Sequence, residues 1–157
     1  MTTGEINRAD GLTDVVVGVT TERGAEALVF EGPEGALKAQ AEVLQMPAAV
    51  TALALGQLDG SYEMDLAVAA GEQLELIHGR DRKLSLDKAQ QEKVLPAQIE
   101  GRAIGASINA LAIGDFTAIH THALALLTAN GEVSVLSPAW QELAKQLPAD
   151  DHRQSHQ

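Results

Sequence analysis

Cysteine is absent from the 157 residues, which removes disulfides, thiol nucleophiles and thiolate metal sites together. Aromatic residues make up only 3%, and Phe30, Tyr62, Phe116 and Trp140 are the whole set. A core must therefore be assembled from Val, Leu, Ile and many Ala, side chains that fit between closely spaced sheets. No run of eighteen apolar residues occurs, so no membrane-spanning helix and no membrane insertion are expected. Basic residues are scarce as well: 11 Lys and Arg stand against 22 Asp and Glu, a net charge of −11. A field of that sign repels phosphate backbones, so nucleic acid is not an expected partner. The first residues, Met1-Thr2-Thr3-Gly4-Glu5-Ile6-Asn7, show neither the basic region nor the apolar run of a signal peptide. Nucleophile elbows, phosphate-binding glycine loops and histidine–carboxylate nucleophile patterns are also missing, so no catalytic residue is named and no enzyme is expected.

What is present is a repeat. Val50-Thr51-Ala52-Leu53-Ala54-Leu55-Gly56-Gln57-Leu58-Asp59 aligns without gaps on Ile108-Asn109-Ala110-Leu111-Ala112-Ile113-Gly114-Asp115-Phe116-Thr117, an offset of 58 residues. At the same offset Asp65-Leu66-Ala67-Val68 falls on Ala123-Leu124-Ala125-Leu126, and Asp14-Val15-Val16-Val17 repeats it near the N-terminus. A second run follows each time, with Ala27 and Val29, Leu74 and Leu76, Val133 and Val135 two apart, the period of a strand with one buried face. Arg23-Gly24, Ala70-Gly71 and Asn130-Gly131 lie between the paired runs as tight turns. The unit reads strand, polar loop, strand, turn, strand, then a variable outer segment. Ala36 to Met46 reads as an outer strand, and Lys83 to Gly105 as a strand followed by a loop. After Ser137 and Pro138, the spacing of Trp140, Leu143, Ala144 and Leu147 predicts a short helix over 138–148. The polar tail 149–157 is expected to be disordered.

Asp10-Gly11-Leu12-Thr13-Asp14-Val15-Val16-Val17-Gly18 resembles the FG-GAP/VCBS repeat of integrin-α-like β-propellers. So do Ala52 to Asp59 with Met64 to Val68, and Ala112 to Thr117. The resemblance covers about residues 1–137 and implies an all-β chain of about three propeller blades in an incomplete ring, near 1–48, 49–106 and 107–137. It also implies calcium as the cofactor, because the family's loop has the form D-x-D/N-x-D-G-x-x-D. Calcium takes six to eight oxygens at about 2.3–2.6 Å, which alternate carboxylates around a glycine turn supply. Carried onto this chain, the ligands of the first loop are Asn7, Asp10, the Leu12 carbonyl and Asp14. The second loop keeps only Asp59 and Asp65 and is expected to be weak. The third has Ile119, His120 and Ala123 where acidic residues and glycine belong, so no calcium is expected there.

Three functions fit this reading. The first is a non-catalytic binding scaffold presenting propeller loops to a protein or glycan partner, placed outside the cell or on its surface by the resemblance alone. The second is a partial propeller fragment with a structural role, and the third a metal-dependent enzyme. His120 and His122 face the same way on an extended chain, yet an exposed polar loop is the commoner meaning of such a pair. His78-Gly79-Arg80-Asp81-Arg82 reads as a solvated charged turn, and Glu72 and Glu75 as exposed strand carboxylates. An incomplete ring leaves apolar faces open, expected at Val15, Val17, Leu124 and Leu126, with Trp140 and Leu143 as a partial cap. Such faces invite self-association or completion by missing blades.

Overall fold

A computed structural model of the chain describes residues 1–6, 11–32, 34–38, 40–82, 89–118 and 120–148. The described chain is all-β, with twelve strands in three four-stranded sheets, each antiparallel and ordered as the strands follow in sequence. Sheet I contains β1 (Thr2–Gly4), β2 (Asp14–Thr21), β3 (Gly24–Phe30) and β4 (Glu42–Gln45). Sheet II contains β5 (Val50–Gly56), β6 (Asp65–Ala70), β7 (Gln73–Ile77) and β8 (Ile99–Ala103). Sheet III contains β9 (Ile108–Gly114), β10 (Ala123–Thr128), β11 (Val133–Leu136) and β12 (Glu142–Gln146). The register makes the three sheets directly comparable. Gly4 pairs with Asp14, Gly56 with Asp65 and Gly114 with Ala123, each at the start of the second strand.

Because side chains alternate along a strand, each sheet has one face carrying that glycine and one opposite it. The glycine face of sheet I (Val16, Ala27, Val29, Leu44) packs on the opposite face of sheet II (Leu53, Leu55, Leu66, Val68, Ile77). The glycine face of sheet II (Ala52, Ala54, Ala67, Ala69, Leu74) packs in the same way on sheet III (Leu111, Ile113, Leu124, Leu126, Leu136). A Cβ added at Gly4 would sit 3.3 Å from Leu55 Cδ1, and one at Gly56 would sit 2.5 Å from Ile113 Cγ2. Each glycine thus admits the large residue that precedes the next sheet's glycine. This close approach explains why the core is rich in Ala and Val and needs few aromatic rings. The first strands neighbour one another, β1 with β5 and β5 with β9, and the stack does not close on itself.

The chain after Ser137 is a strand, where helical spacing predicts a helix over 138–148. The Ser137 carbonyl accepts the Trp140 N–H at 2.9 Å, and Trp140 turns the chain at a φ of 62°. β12 then runs back along β11, with Val133 opposite Gln146 and Val135 opposite Ala144. Pairing with β11 gives backbone hydrogen bonds to both segments, and in this fold that gain outweighs the helix propensity of Leu143 and Ala144. Trp140 is half-buried against the apolar cluster that sheets II and III share, which includes Leu124 and Leu126. Its indole N–H donates to Glu100 Oε2 on sheet II at 3.1 Å, and Arg102 of sheet II donates to its carbonyl oxygen.

The outer segments differ from expectation elsewhere too. Between Ala36 and Met46 the strand is confined to β4, preceded by one 3-10 turn at Ala36–Lys38. Beyond residue 88 the order is a 3-10 turn at Gln91–Lys93 and then β8, so the strand ends this segment. Leu124 and Leu126, expected on an open face, are buried between sheets II and III. The tail 149–157 lies outside the described residues.

Candidate functional site

The three loops joining first to second strands form a row at one end of the stack. Met64 N–H of the β5–β6 loop donates to the Ile6 carbonyl of the first loop at 3.2 Å. On its other side, His122 Nδ1 of the β9–β10 loop lies 2.9 Å from the Gln57 carbonyl oxygen. Among the described residues, each loop presents one large exposed apolar side chain: Leu12, Tyr62 and Phe116.

Beneath this row sit the buried aspartates that open β2 and β6. Asp65 Oδ2 accepts the Leu58 N–H at 2.8 Å and the Asp59 N–H at 3.1 Å, and Oδ1 accepts the Gly79 N–H at 3.0 Å. One fully buried carboxylate thereby closes its own loop and fastens the chain leaving β7. Asp14 repeats the arrangement in sheet I, with Oδ2 accepting the Ile6 N–H at 2.9 Å. Ile6 and Leu58 are buried at matching places, two residues after the glycine. Sheet III has Ala123 and the exposed Phe116 instead.

Among the described residues, Asp59, Asp65 and His78 bring three potential ligand atoms within 4.8 Å of one another. His78 Nδ1 is 3.5 Å from Asp59 Oδ2 and 3.7 Å from Asp65 Oδ1, while its Nε2 is 3.1 Å from Glu100 Oε1. Hydrogen bonds from Ser61, side chain first and backbone second, hold Asp59 below the usual carboxylate range; His78 adds to this, and burial opposes it. His78 first and Trp140 second lower Glu100 in the same direction. Sequence reasoning selected Asp59 and Asp65 but missed His78 and Glu100. They belong to β7's end and to β8, and no short-range pattern places them beside the loop. The cluster offers two carboxylates and an imidazole, a donor set softer than calcium's preferred oxygen cage. Asp65 also commits both oxygens to backbone N–H groups.

Of the residues expected to hold calcium in the first loop, Asn7 and Asp10 lie outside the described residues. Leu12 is exposed and Asp14 is buried. His120 and His122 take separate partners: His120 Nδ1 lies 3.0 Å from Asp115 Oδ2, and His122 bonds sheet II. The charged turn after β7 is not simply solvated. Arg82 pairs with Glu31 at 2.6 Å and Glu42 at 3.0 Å, and Arg80 pairs with Glu42, so the turn ties sheet II to sheet I. Glu75 is half-buried, and burial raises its carboxyl above the ordinary range. No helix among the described residues is long and apolar enough to cross a membrane.

Compared with known proteins, the chain matches no family model, and no curated protein matches it significantly.

Proposed function

We propose that this chain is a non-catalytic binding scaffold of the propeller kind, its three sheets acting as blades of an incomplete ring. Four-stranded antiparallel meanders with neighbouring first strands are what blades of that architecture look like, and the twice-used packing of glycine face on opposite face supports the reading. The observation that carries a binding role is the loop row, where Leu12 and Tyr62 stand exposed on loops held from below by Asp14 and Asp65, and Phe116 on a loop held by its neighbour through His122. Rigidly supported loops with apolar or aromatic tips are the usual form of a recognition surface. The partner is a protein or a glycan, met outside the cell if the FG-GAP/VCBS resemblance extends to location.

Calcium in the first loop, through Asn7, Asp10, the Leu12 carbonyl and Asp14, belongs to the same proposal. In the second loop the geometry favours loop closure by Asp65 over a cage. A purely structural role as part of a larger propeller is the second reading, favoured by the open faces of sheets I and III. Glycan arrays and pull-downs on the intact chain, repeated with Tyr62→Ala and with Phe116→Ala, separate the two. A binding scaffold loses its partner with either substitution while keeping its melting temperature. A partner retained by both variants, or no partner at all, would discard the loop row as a recognition surface. Calorimetry with calcium on the chain and on Asp14→Ala tests the first loop, and binding that survives the substitution overturns that ligand set.

A further inference from the structure

The two internal interfaces use one rule, and the outer faces of the stack obey it with nothing opposite them among the described residues. On sheet III the glycine face carries Ala110, Ala112, Leu127 and Val133, all exposed, beside the half-buried Ala125 and the buried Ala123 and Val135. By register their counterparts on sheet II are Ala52, Ala54, Ala69 and Leu74. There Ala52 is half-buried and the other three are buried beneath sheet III. The contrast is numerical at two of these places: Leu127 is 37% and Val133 40% exposed, against 0% for both Ala69 and Leu74.

The glycine niche shows the same vacancy. Gly4 takes Leu55 and Gly56 takes Ile113, but the atoms nearest a Cβ at Gly114 belong to Phe116, two residues along its own chain, at 3.2 Å. At the other end, sheet I turns its opposite face outward. Val15, Val17, Leu28 and Phe30 lie on it half-buried, with Val43 exposed at 41%. The described sheets thus leave uncovered one face of each of the two kinds that their own interfaces join.

The geometry points to head-to-tail self-association, in which the glycine face of sheet III of one copy receives the opposite face of sheet I of the next. Continuity with the two existing interfaces selects a second copy as the occupant. The faces differ from each other, so the contact is heterologous, growing into a closed ring if the rotation per copy allows and into an open array otherwise. This does not depend on the loop row's partner, because the loops stand at one end of the sheets and the contact uses their broad faces.

Sedimentation velocity across a concentration series tests it on three proteins: the wild-type chain, Leu127→Glu on sheet III, and Val43→Glu on sheet I. The wild type is expected to grow with concentration, and each variant alone to lose that growth. Mixing the variants restores one intact pair of faces, so a one-to-one dimer and nothing larger is expected. Melting curves confirm folding, and if Leu127→Glu does not fold, the exposed Ala112→Arg takes its place. Three outcomes overturn the inference. A wild type that stays monomeric at every concentration leaves these faces to some other occupant, a further sheet or a different protein. Loss of association in only one variant means an isologous contact. A mixture that stays monomeric means the two faces do not meet.

Discussion

The β5–β6 and β9–β10 loops are of equal length, begin after equivalent glycines and end at equivalent register positions, yet they are held in different ways. The loop of sheet II is closed from within by Asp65, which gathers backbone N–H groups from Leu58, Asp59 and Gly79. In sheet III that position is Ala123, equally buried but unable to accept a hydrogen bond. Its loop relies on the weaker contacts of Asp115 with Thr117 and His120, and on His122 reaching the neighbouring loop. The residue two after the glycine follows suit: Leu58 is buried, whereas Phe116 swings out and folds over Gly114. A closing aspartate and a buried anchor thus act together, and losing both frees a loop to be held by its neighbour.

The sharpest way to break this comparison is Asp65→Ala. It strands three backbone N–H groups next to the core, and urea unfolding should show a loss of about 3 kcal/mol. Asp14→Ala, at the equivalent place in sheet I, should cost about 1–2 kcal/mol. A loss under about 0.5 kcal/mol for Asp65→Ala would mean that the loop closes without its carboxylate.

The next effect concerns the niches. Gly56→Ala drives a methyl group into Ile113 across a packed interface and should cost about 1–3 kcal/mol. Gly114→Ala meets only the exposed Phe116 ring, which can turn aside, so its cost should stay below about 0.5 kcal/mol in the monomer. Equal costs would show that the two glycine faces are not in different states.

The smallest effect is one of pH. Burial raises the Glu75 carboxyl, so the folded chain holds that proton more tightly than the unfolded one. Its contribution to stability is present below the ordinary carboxyl value of 4.5 and is lost as pH rises through the folded value. Glu75→Gln should therefore raise the melting temperature at neutral pH, by less than about 1 kcal/mol in stability. The gain should vanish in acid below the ordinary value. Asp59 and Glu100 run the other way: their lowered values give stability that is lost as pH falls through them. A gain from Glu75→Gln that persists in acid would trace to packing against Gly101 and not to charge.

Much of this architecture was legible in the sequence, and the reasons are local. Period-two alternation in Gln73 to Ile77 and its counterparts, the apolar run Asp65 to Ala70 before it, and Gly71 and Gly131 at positive φ in the turns mark consecutive antiparallel strands. The ungapped match between Val50–Asp59 and Ile108–Thr117 identified β5 and β9 as equivalent strands, and both open their sheets. What failed was decided at a distance. Trp140 to Leu147 has helical spacing, but pairing with β11 makes it a strand, a pairing that no local pattern reveals. Leu124 and Leu126 alternate with Ala125 and Leu127, and sequence alone does not say which set meets sheet II. His78 and Glu100 are separated from Asp59 in the chain and join it only because β7 runs beside β6 and β8 beside β7. Period and turn chemistry act between near neighbours and so can be read from residue order. The use of each face, the fate of each edge and the company of each buried carboxylate depend on which sheet lies opposite, and packing alone decides that.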